Sequence, residues 1–364
     1  MKIAFVCPPT ANLIRPSYLG RHLARRGHEI HVIVPPSGRE HSWYGLEEQP
    51  VTLHRCAPQG KAFTEVTRHL REIRPELVHC VDCGRATLPG ALWGARQVGA
   101  LSLVDMPDWM SRWQRLNSKL TVVLEAVALA RADAVAVASQ ELLEYYQRRR
   151  HRAALHYLPF AVDLEYFEAH RDRAATVRAK YGEAKLLTYL GAILRQYSPQ
   201  EALAMAAALA RRRRDFRLLY VGRGAMQEEL EAQAEALGIR ELVDFVGFVA
   251  EEDLPGYLAA SDVLLCPLED NVANRNRCPN KAFWYLGARR PIVATRMGEV
   301  YRALGEEALY YRYGDAEDFA DQVEKALAGA APLPSAERAQ AHAWPAVADR
   351  YELIIEELIA RGRR

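Results

Sequence analysis

The sequence has no apolar run long enough to cross a membrane. Its most apolar stretch, 122–138, is interrupted by Glu125, Arg131 and Asp133, whereas a spanning helix needs about 20 mainly apolar residues. The opening segment, MKIAFVC, is too short for a secretory signal peptide and is typical of a first β-strand. We therefore expect a cytoplasmic protein. Any contact with lipid is expected to be peripheral, at the inner face of the membrane.

The chain also has no marked excess of charge. Its 48 lysines and arginines nearly balance 46 aspartates and glutamates, for a net charge of +2, which argues against a nucleic-acid-binding surface. The basic runs are local, at 148–152 and 211–214. Both end predicted helices, where cations suit the helix dipole. A membrane-docking patch is the alternative interpretation of these runs.

Cysteine is sparse. The six cysteines are scattered through the chain, mostly in apolar runs, as expected of reduced, buried thiols in a cytosolic protein. Cys80 and Cys83 form a C-x-x-C pair, but a zinc site of that type needs a second pair at matching spacing. The sequence therefore predicts no metal site.

What the sequence does contain is a regular alternation of short apolar runs and amphipathic stretches. With 364 residues, 50% of them hydrophobic, the chain is long enough for two domains with separate cores. We predict an α/β fold in which two doubly wound, parallel-sheet (Rossmann-like) domains, 1–165 and 166–345, face a cleft. A final helix within 346–364 is expected to return to the first domain. The predicted strands are 3–6, 28–34, 76–80, 100–104, 134–138, 186–190, 217–221, 243–246, 262–266 and 291–295.

One segment, 262–299, indicates a ligand. It reads as a buried strand, a loop carrying Arg275 and Arg277, and a helix that begins at Pro279. A helix start at the carboxyl ends of parallel strands offers free N–H groups and a partial positive charge, to which Lys281 adds a full one. The segment therefore predicts a phosphate or diphosphate site and a nucleotide-linked substrate. The alternative is an ordinary βαβ unit with a solvated basic loop.

Six segments, in this order, resemble the motifs of retaining GT-B fold glycosyltransferases of the "group 1" type. They are RGHEIHV (26–32), RADAVAVAS (131–139), LPFAVD (158–163), VGRG (221–224), FVGFVAEEDLP (245–255) with ASD (260–262), and PNKAFWYL (279–286) with PIVAT (291–295). The last resembles a PNK.FEY variant in which Trp284 replaces the glutamate. The resemblance covers nearly the whole chain.

The resemblance implies transfer of a sugar from a nucleotide-diphosphate-sugar to an acceptor hydroxyl, with retention of configuration. The acceptor would be a glycan, a lipid-linked molecule or a small molecule. The nucleotide-sugar is a co-substrate, and no cofactor or metal is implied, since the chain lacks an acidic D-x-D motif. Arginine and lysine side chains close to the departing diphosphate would stabilise its negative charge in place of a metal ion.

Site residues follow from the same resemblance and from positions at strand ends. The expected catalytic residues are Asp108, Lys281 and Arg195. The expected donor-binding residues are Gly191, Ala192, Gly222, Arg223, Arg277, Pro279, Asn280, Trp284 and Glu299. The expected acceptor-binding residues are Pro9, Thr10, Asp82, Asp105 and Trp109.

Several donor positions depart from the family pattern. Ala192 and Tyr197 stand where relatives carry an arginine and a lysine, and Asn276 and Trp284 stand where they carry carboxylates. Tryptophan cannot accept the ribose hydrogen bonds, so it either stacks on the ligand or fills core. These departures keep two alternatives open: a catalytically degraded GT-B protein acting as a binding or partner subunit, and a different enzyme on the same fold.

Overall fold

The computed structural model describes residues 1–8, 13–34, 50–57, 59–109, 111 and 118–362. Contacts divide the chain into two compact units. The first comprises Met1–Phe160, Asn276–Cys278 and Trp344–Arg364, and the second comprises Ala161–Arg275 and Pro279–Ala343.

The first unit is built on a seven-stranded parallel sheet of order β3-β2-β1-β4-β5-β6-β7. Its central strands are buried and rich in branched apolar residues, as expected of parallel strands covered on both faces. The strands are β1 Lys2–Val6, β2 Glu29–Val34, β3 Thr52–Arg55, β4 Leu77–Val81, β5 Leu101–Met106, β6 Ala134–Val137 and β7 Ala154–Tyr157.

The helices of the first unit connect these strands. The helix predicted after β1 starts with a π-helical turn, Arg15–Leu19, which continues into α1. Ser139 caps the last of them as expected, because its side chain accepts a hydrogen bond from the Leu142 amide at 3.2 Å. The helices are α1 Gly20–Arg25, α2 Ala62–Ile73, α3 Leu88–Val98, α4 Ser118–Arg131 and α5 Gln140–Gln147.

The second unit repeats the plan with a six-stranded parallel sheet of order β10-β9-β8-β11-β12-β13. The strands are β8 Lys185–Leu190, β9 Phe216–Val221, β10 Val243–Gly247, β11 Val263–Cys266, β12 Ile292–Thr295 and β13 Leu309–Tyr311. The helices are α6 Leu164–Ala169, α7 Ala174–Tyr181, α8 Pro199–Ala210, α9 Gln227–Ala236, α10 Leu254–Ala260, α11 Val272–Arg275, α12 Asn280–Ala288, α13 Gly298–Leu304, α14 Ala316–Leu327 and α15 Ala336–Ala341.

The last helix, α16 (Trp344–Gly362), belongs to the first unit. The Trp344 ring stacks on Tyr18, with centroids 5.7 Å apart. The Tyr351 hydroxyl lies 3.0 Å from Nδ1 of His79 on β4. These buried contacts hold α16 against the π-helical turn and the N-terminal sheet.

The predicted fold class is confirmed, with differences at the sheet edges. Three short strands, β3, β7 and β13, were not predicted. β3 reads Thr-Leu-His-Arg and β13 is three residues long, so neither gives the apolar run that marks a central strand. Pro279 is the N-cap of α12 rather than its first helical residue.

Among the described residues, no helix is long and apolar enough to cross a membrane.

Candidate functional site

Two glycines bring the carboxyl ends of β8 and β9 into close contact. Gly191 has φ 133° and Gly222 has φ 143°, values that side chains disfavour. A β-carbon added at Gly222 would lie 2.1 Å from the Gly191 carbonyl oxygen. The Gly191 amide donates to Val221 O at 2.9 Å and the Gly222 amide donates to Gly247 O at 2.8 Å. Because these two positions carry no side chain, a ligand can approach the backbone closely at the ends of β8 and β9.

Lys281 brings a cation to the same place. It is the second residue of α12, and its side chain is only 8% exposed. Its Nζ lies 4.1 Å from the centroid of the Tyr189 ring, a cation–π distance, and 3.8 Å from where a Gly191 β-carbon would be. The arrangement puts a largely desolvated positive charge at the end of β8.

Two tyrosines fix this corner. The Tyr189 hydroxyl lies 3.2 Å from the Ala192 carbonyl oxygen and 3.0 Å from that of Tyr197, so it holds the loop after β8. The Tyr285 hydroxyl accepts a hydrogen bond from the Leu190 amide and donates one to Leu265 O, both at 3.0 Å. Helix α12 is thereby pinned across β8 and β11, which sets the position of Lys281. Neither tyrosine was singled out by the sequence, because each looks like an ordinary core aromatic.

Asn280 begins α12, and its Oδ1 is buried without a hydrogen-bond partner among the described residues. A buried amide oxygen in this state favours a donor from a ligand or water. It lies beside Lys281 in sequence, at the helix end that carries partial positive charge. The expected donor residues Gly191, Ala192, Gly222, Asn280 and Lys281 therefore stand around one corner of the second unit.

Other expected cations are placed differently. Arg195 is 71% exposed and pairs with Glu229 of α9 at 3.2 Å. Arg223 is exposed, and its Nε would lie 3.3 Å from a β-carbon at Gly247. Arg277 is buried and groups with the first unit. Of the expected cations, Lys281 is therefore the one that the structure sets directly beside Gly191.

The Trp284 side chain is buried and is not exposed at the surface of the second unit. Its side chain is 7% exposed, and its ring centroid lies 6.3 Å from that of Phe167 on α6. Glu299, in the first turn of α13, is 1% exposed and lies 3.2 Å from Nε of Arg302. The indole therefore contributes to the core of the second unit.

We expect Trp284→Glu to destabilise the second unit by about 3–5 kcal/mol, because a buried ring is lost and a carboxylate is buried in its place. Trp284→Phe keeps an aromatic ring against Phe167 and should cost clearly less. Denaturant titration of both variants measures the difference. A Trp284→Glu protein that is as stable as the parent and binds nucleotide-sugars more tightly would instead identify the position as a degraded ribose site.

In the first unit, acidic residues follow β4 and β5. Asp82 has φ 88°, a strained value for a residue with a side chain. Burial raises the pKa of Asp82 to about 6; a hydrogen bond from the Cys83 backbone opposes this rise, and the charges of Asp105 and Asp108 add to it. Burial also raises the pKa of Asp108, and the nearby Arg277 charge opposes that shift. Asp82 and Asp108 are thus two carboxyl groups that follow strands and whose pKa values burial raises.

Asp105, an expected acceptor-binding residue, does not reach solvent. It is fully buried and forms an ion pair with Arg15, which is 1% exposed. The Arg15 guanidinium also donates to the carbonyls of Leu158 and of Pro159, the latter at 3.2 Å. Burial raises the pKa of Asp105 to about 6, with the Arg15 charge opposing the rise. Sequence reasoning missed Arg15 because an arginine in a first helix normally signals a solvated face.

Of the three remaining expected acceptor-binding residues, the structure describes one. Trp109 is buried, with its ring centroid 4.2 Å from that of Tyr145, and therefore packs in the core. Pro9 and Thr10 lie outside the described residues. Glu125, which was not predicted, accepts hydrogen bonds from the amide and hydroxyl of Ser111 at 2.9 and 2.8 Å. It adds a third carboxylate near Asp82, whose pKa its charge helps to raise.

Two family models match the chain, one in each unit. Residues 15–161 match the glycosyl transferase 4-like domain, and residues 184–329 match glycosyl transferases group 1. These ranges contain the strand-end carboxyl groups of the first unit and the Gly191–Lys281 corner of the second.

Two proteins with similar sequences are named as glycosyltransferases. The 2-deoxystreptamine glucosyltransferase of Streptomyces kanamyceticus is 24% identical over 294 residues, which cover 75% of this chain and 73% of that protein. The GDP-mannose-dependent alpha-(1-6)-phosphatidylinositol monomannoside mannosyltransferase of Mycolicibacterium smegmatis is 29% identical over 295 residues, covering 75% and 74%.

The fold has close counterparts among solved structures. Anabaena HepE, solved in complex with UDP and glucose, superposes with a TM-score of 0.78 at 15% identity, covering 98% of this chain and all of that one. At such identity the likeness concerns the fold alone. Together with the two family matches, it identifies the chain as a glycosyltransferase of the GT-B fold, with a 4-like N-terminal domain and a group 1 C-terminal domain.

Proposed function

We propose that this enzyme transfers a hexosyl group from a nucleoside-diphosphate sugar to an acceptor hydroxyl, with retention of configuration and without a catalytic metal ion. The observation that carries the proposal is the buried Lys281 ammonium beside the bare backbone of Gly191. Retention rests on the family resemblance, and the GDP-mannose and UDP in the names of similar proteins support a nucleotide donor.

In this proposal the C-terminal domain stabilises the leaving group. Negative charge grows on the diphosphate as the glycosyl bond breaks, and a fixed cation aimed there lowers the barrier. Lys281 and the N-terminus of α12 supply that charge, while Gly191 and Gly222 let the diphosphate approach the backbone. The Asn280 oxygen accepts a hydrogen bond from a donor hydroxyl. Arg223 and Arg195, in the same domain, are further cations for the diphosphate.

The acceptor is assigned to the N-terminal domain, where Asp82 follows β4 and Asp108 follows β5. Carboxylates at these ends accept hydrogen bonds from sugar or cyclitol hydroxyls. Similar proteins are named for two acceptor classes, the aminocyclitol 2-deoxystreptamine and phosphatidylinositol mannosides. We propose a polyhydroxylated acceptor of one of these two kinds.

Product formation tests the proposal. The protein is incubated with UDP-glucose or GDP-mannose and a panel of aminocyclitol and inositol-lipid acceptors, without added Mg²⁺ or Mn²⁺, and products are identified by mass spectrometry. We expect one donor to give a glycosylated product with an α-linkage. Nucleotide binding without transfer to any acceptor would favour the partner-subunit alternative, which Ala192, Asn276 and Trp284 motivate. A strict requirement for Mn²⁺ would refute metal-independent transfer.

A lipid-linked acceptor is favoured by one surface of the N-terminal domain. Leu120, Val123 and Val127 of α4 are exposed and, with Arg131, fall on one stripe of the helix. The Arg152 amide donates to Leu129 O at 3.1 Å, so the basic run 148–152 adjoins the end of this helix. An apolar stripe beside cations suits an anionic lipid surface.

We therefore predict peripheral binding to vesicles. Flotation with phosphatidylglycerol vesicles at low salt should recover the protein, and high salt should release it. Val123→Gln with Val127→Gln should lower the bound fraction about tenfold, as expected if burial of two side chains contributes about 1.4 kcal/mol. Val122→Gln, which alters an exposed valine outside the stripe, is the control. Equal binding by neutral and anionic vesicles, or by all variants, would refute the patch.

A further inference from the structure

A thiol, a carboxylate and an imidazole converge at the edge of the N-terminal sheet, away from the strand-end carboxyl groups. Ligand atoms of Cys56, Glu65 and His69 all lie within 4.8 Å of one another. Cys56 follows β3, while Glu65 and His69 are four positions apart on α2 and therefore share one helix face. Cys56 and His69 are buried, and Glu65 is half-buried.

Two more imidazoles stand next to this cluster. The His54 ring centroid lies 5.4 Å from that of His69. His31 Nδ1 lies 2.9 Å from His54 Nε2, and its other nitrogen lies 2.9 Å from Glu29. His54 and Cys56 are two residues apart, so an extended chain turns both side chains to the same side. The edge of the sheet therefore gathers nitrogen, sulfur and oxygen ligands in one place.

The present hydrogen bonds leave this cluster incompletely satisfied. The side chain of His69 is 9% exposed. Its Nε2 lies 3.1 Å from Nη2 of Arg68, while its Nδ1 has no hydrogen-bond partner among the described residues and lies 3.5 Å from Glu72 Oε2. Glu65 accepts from the Ala57 amide at 3.0 Å and from Arg68 at 3.0 Å. Arg68 also pairs with Glu72 at 2.9 Å. It therefore keeps one carboxylate partner when Glu65 binds a metal ion.

We propose that Cys56, Glu65 and His69 bind one Zn²⁺ ion, with His54 or water in the fourth position. A mixed thiolate, imidazole and carboxylate set suits Zn²⁺. Bonds of about 2.0–2.3 Å place tetrahedral ligands about 3.5 Å apart, so ligand atoms that now lie within 4.8 Å of one another would draw together by up to about 1.3 Å. The ion replaces the thiol proton of Cys56, which leaves to solvent. It would tie the short edge strand β3 to α2, a structural role separate from glycosyl transfer.

The test uses the full-length protein with Zn²⁺ and Co²⁺ alone as probes. Calorimetry should give one Zn²⁺ site, and the Co²⁺ complex should show the near-ultraviolet absorption of a thiolate–cobalt bond. Cys56→Ser and His69→Gln should each lower Zn²⁺ affinity at least about 100-fold, since even outer-shell changes at metal sites cost about 10–100-fold. Glu72→Gln, an exposed carboxylate on the same helix, should change affinity far less.

Each outcome decides the proposal. Loss of the thiolate band in Cys56→Ser, with retained far-ultraviolet dichroism, supports it. Absence of saturable Zn²⁺ binding at micromolar concentration overturns it, and so does a Co²⁺ complex without thiolate absorption. Zn²⁺ affinity that is unchanged in Cys56→Ser but lost in Glu72→Gln would identify a surface carboxylate site and also overturn it.

Discussion

Replacing Lys281 with alanine is expected to weaken nucleoside-diphosphate binding by about 1–3 kcal/mol, or about 5–150-fold in Kd. The ammonium is nearly buried and stands beside the Gly191 backbone, so its attraction to a diphosphate is screened little by water. Affinity for the nucleoside alone should change much less, because the nucleoside carries no phosphate. Calorimetric titrations with UDP, GDP and the two nucleosides measure the difference.

Lys325→Ala is the matched control for this prediction. Lys325 lies on α14 of the same domain, is exposed, and contacts Gln322 rather than any strand end. It should leave UDP and GDP affinity unchanged, which excludes a general effect of net charge. Equal losses for diphosphate and nucleoside in Lys281→Ala would show instead that the substitution disturbs the fold around Tyr189.

The second large effect concerns Arg15. Replacing it with methionine should lower the free energy of unfolding by about 3–5 kcal/mol, because Asp105 is left as an uncompensated charge in the core. The carbonyls of Leu158 and Pro159 also lose their donor. Burial raises the pKa of Asp105 to about 6 even with the Arg15 charge opposing it, and loss of that charge raises the pKa further. The carboxyl of the variant therefore takes up a proton at a higher pH than that of the parent, so the loss of stability should shrink as the pH falls toward about 6.

Two companion variants make this result interpretable. Arg361→Met breaks an exposed pair with Glu357 in the same unit and should cost about 0–0.5 kcal/mol. The double variant Arg15→Met with Asp105→Leu replaces the pair by apolar groups and should recover most of the lost stability. If Arg15→Met costs no more than Arg361→Met in denaturant titrations, the buried pair with Asp105 does not stabilise the first unit.

The central strands could be predicted because they are covered on both faces. β1, β4 and β8 are mainly apolar segments, and the regular alternation of helices and strands along the chain indicates a parallel sheet. The edge strands β3 and β13 gave no such signal, because an edge tolerates polar residues and short length. The position of each edge strand depends on the strand that it pairs with. A local sequence pattern carries no information about that partner.

The same distinction holds for the side chains. The local signal that pointed to Lys281 was a proline, a helix start and a strand end within a few residues. Arg15 pairs with Asp105 on a distant strand, and Cys56 meets Glu65 and His69 only once β3 and α2 are packed. The packing of Trp284 on Phe167 is also set by tertiary contact. Long-range pairs of this kind leave no periodicity in the sequence.

We infer that the C-terminal domain holds a donor diphosphate at the corner formed by Gly191, Gly222 and Lys281. The most direct test is calorimetric titration of the intact protein with UDP and GDP, in parallel with Lys281→Ala. We predict saturable, one-to-one binding of at least one of the two nucleotides, weakened about 5–150-fold by the substitution. Absence of binding for both nucleotides, or binding that Lys281→Ala leaves unchanged, would show that no donor diphosphate is held at this corner.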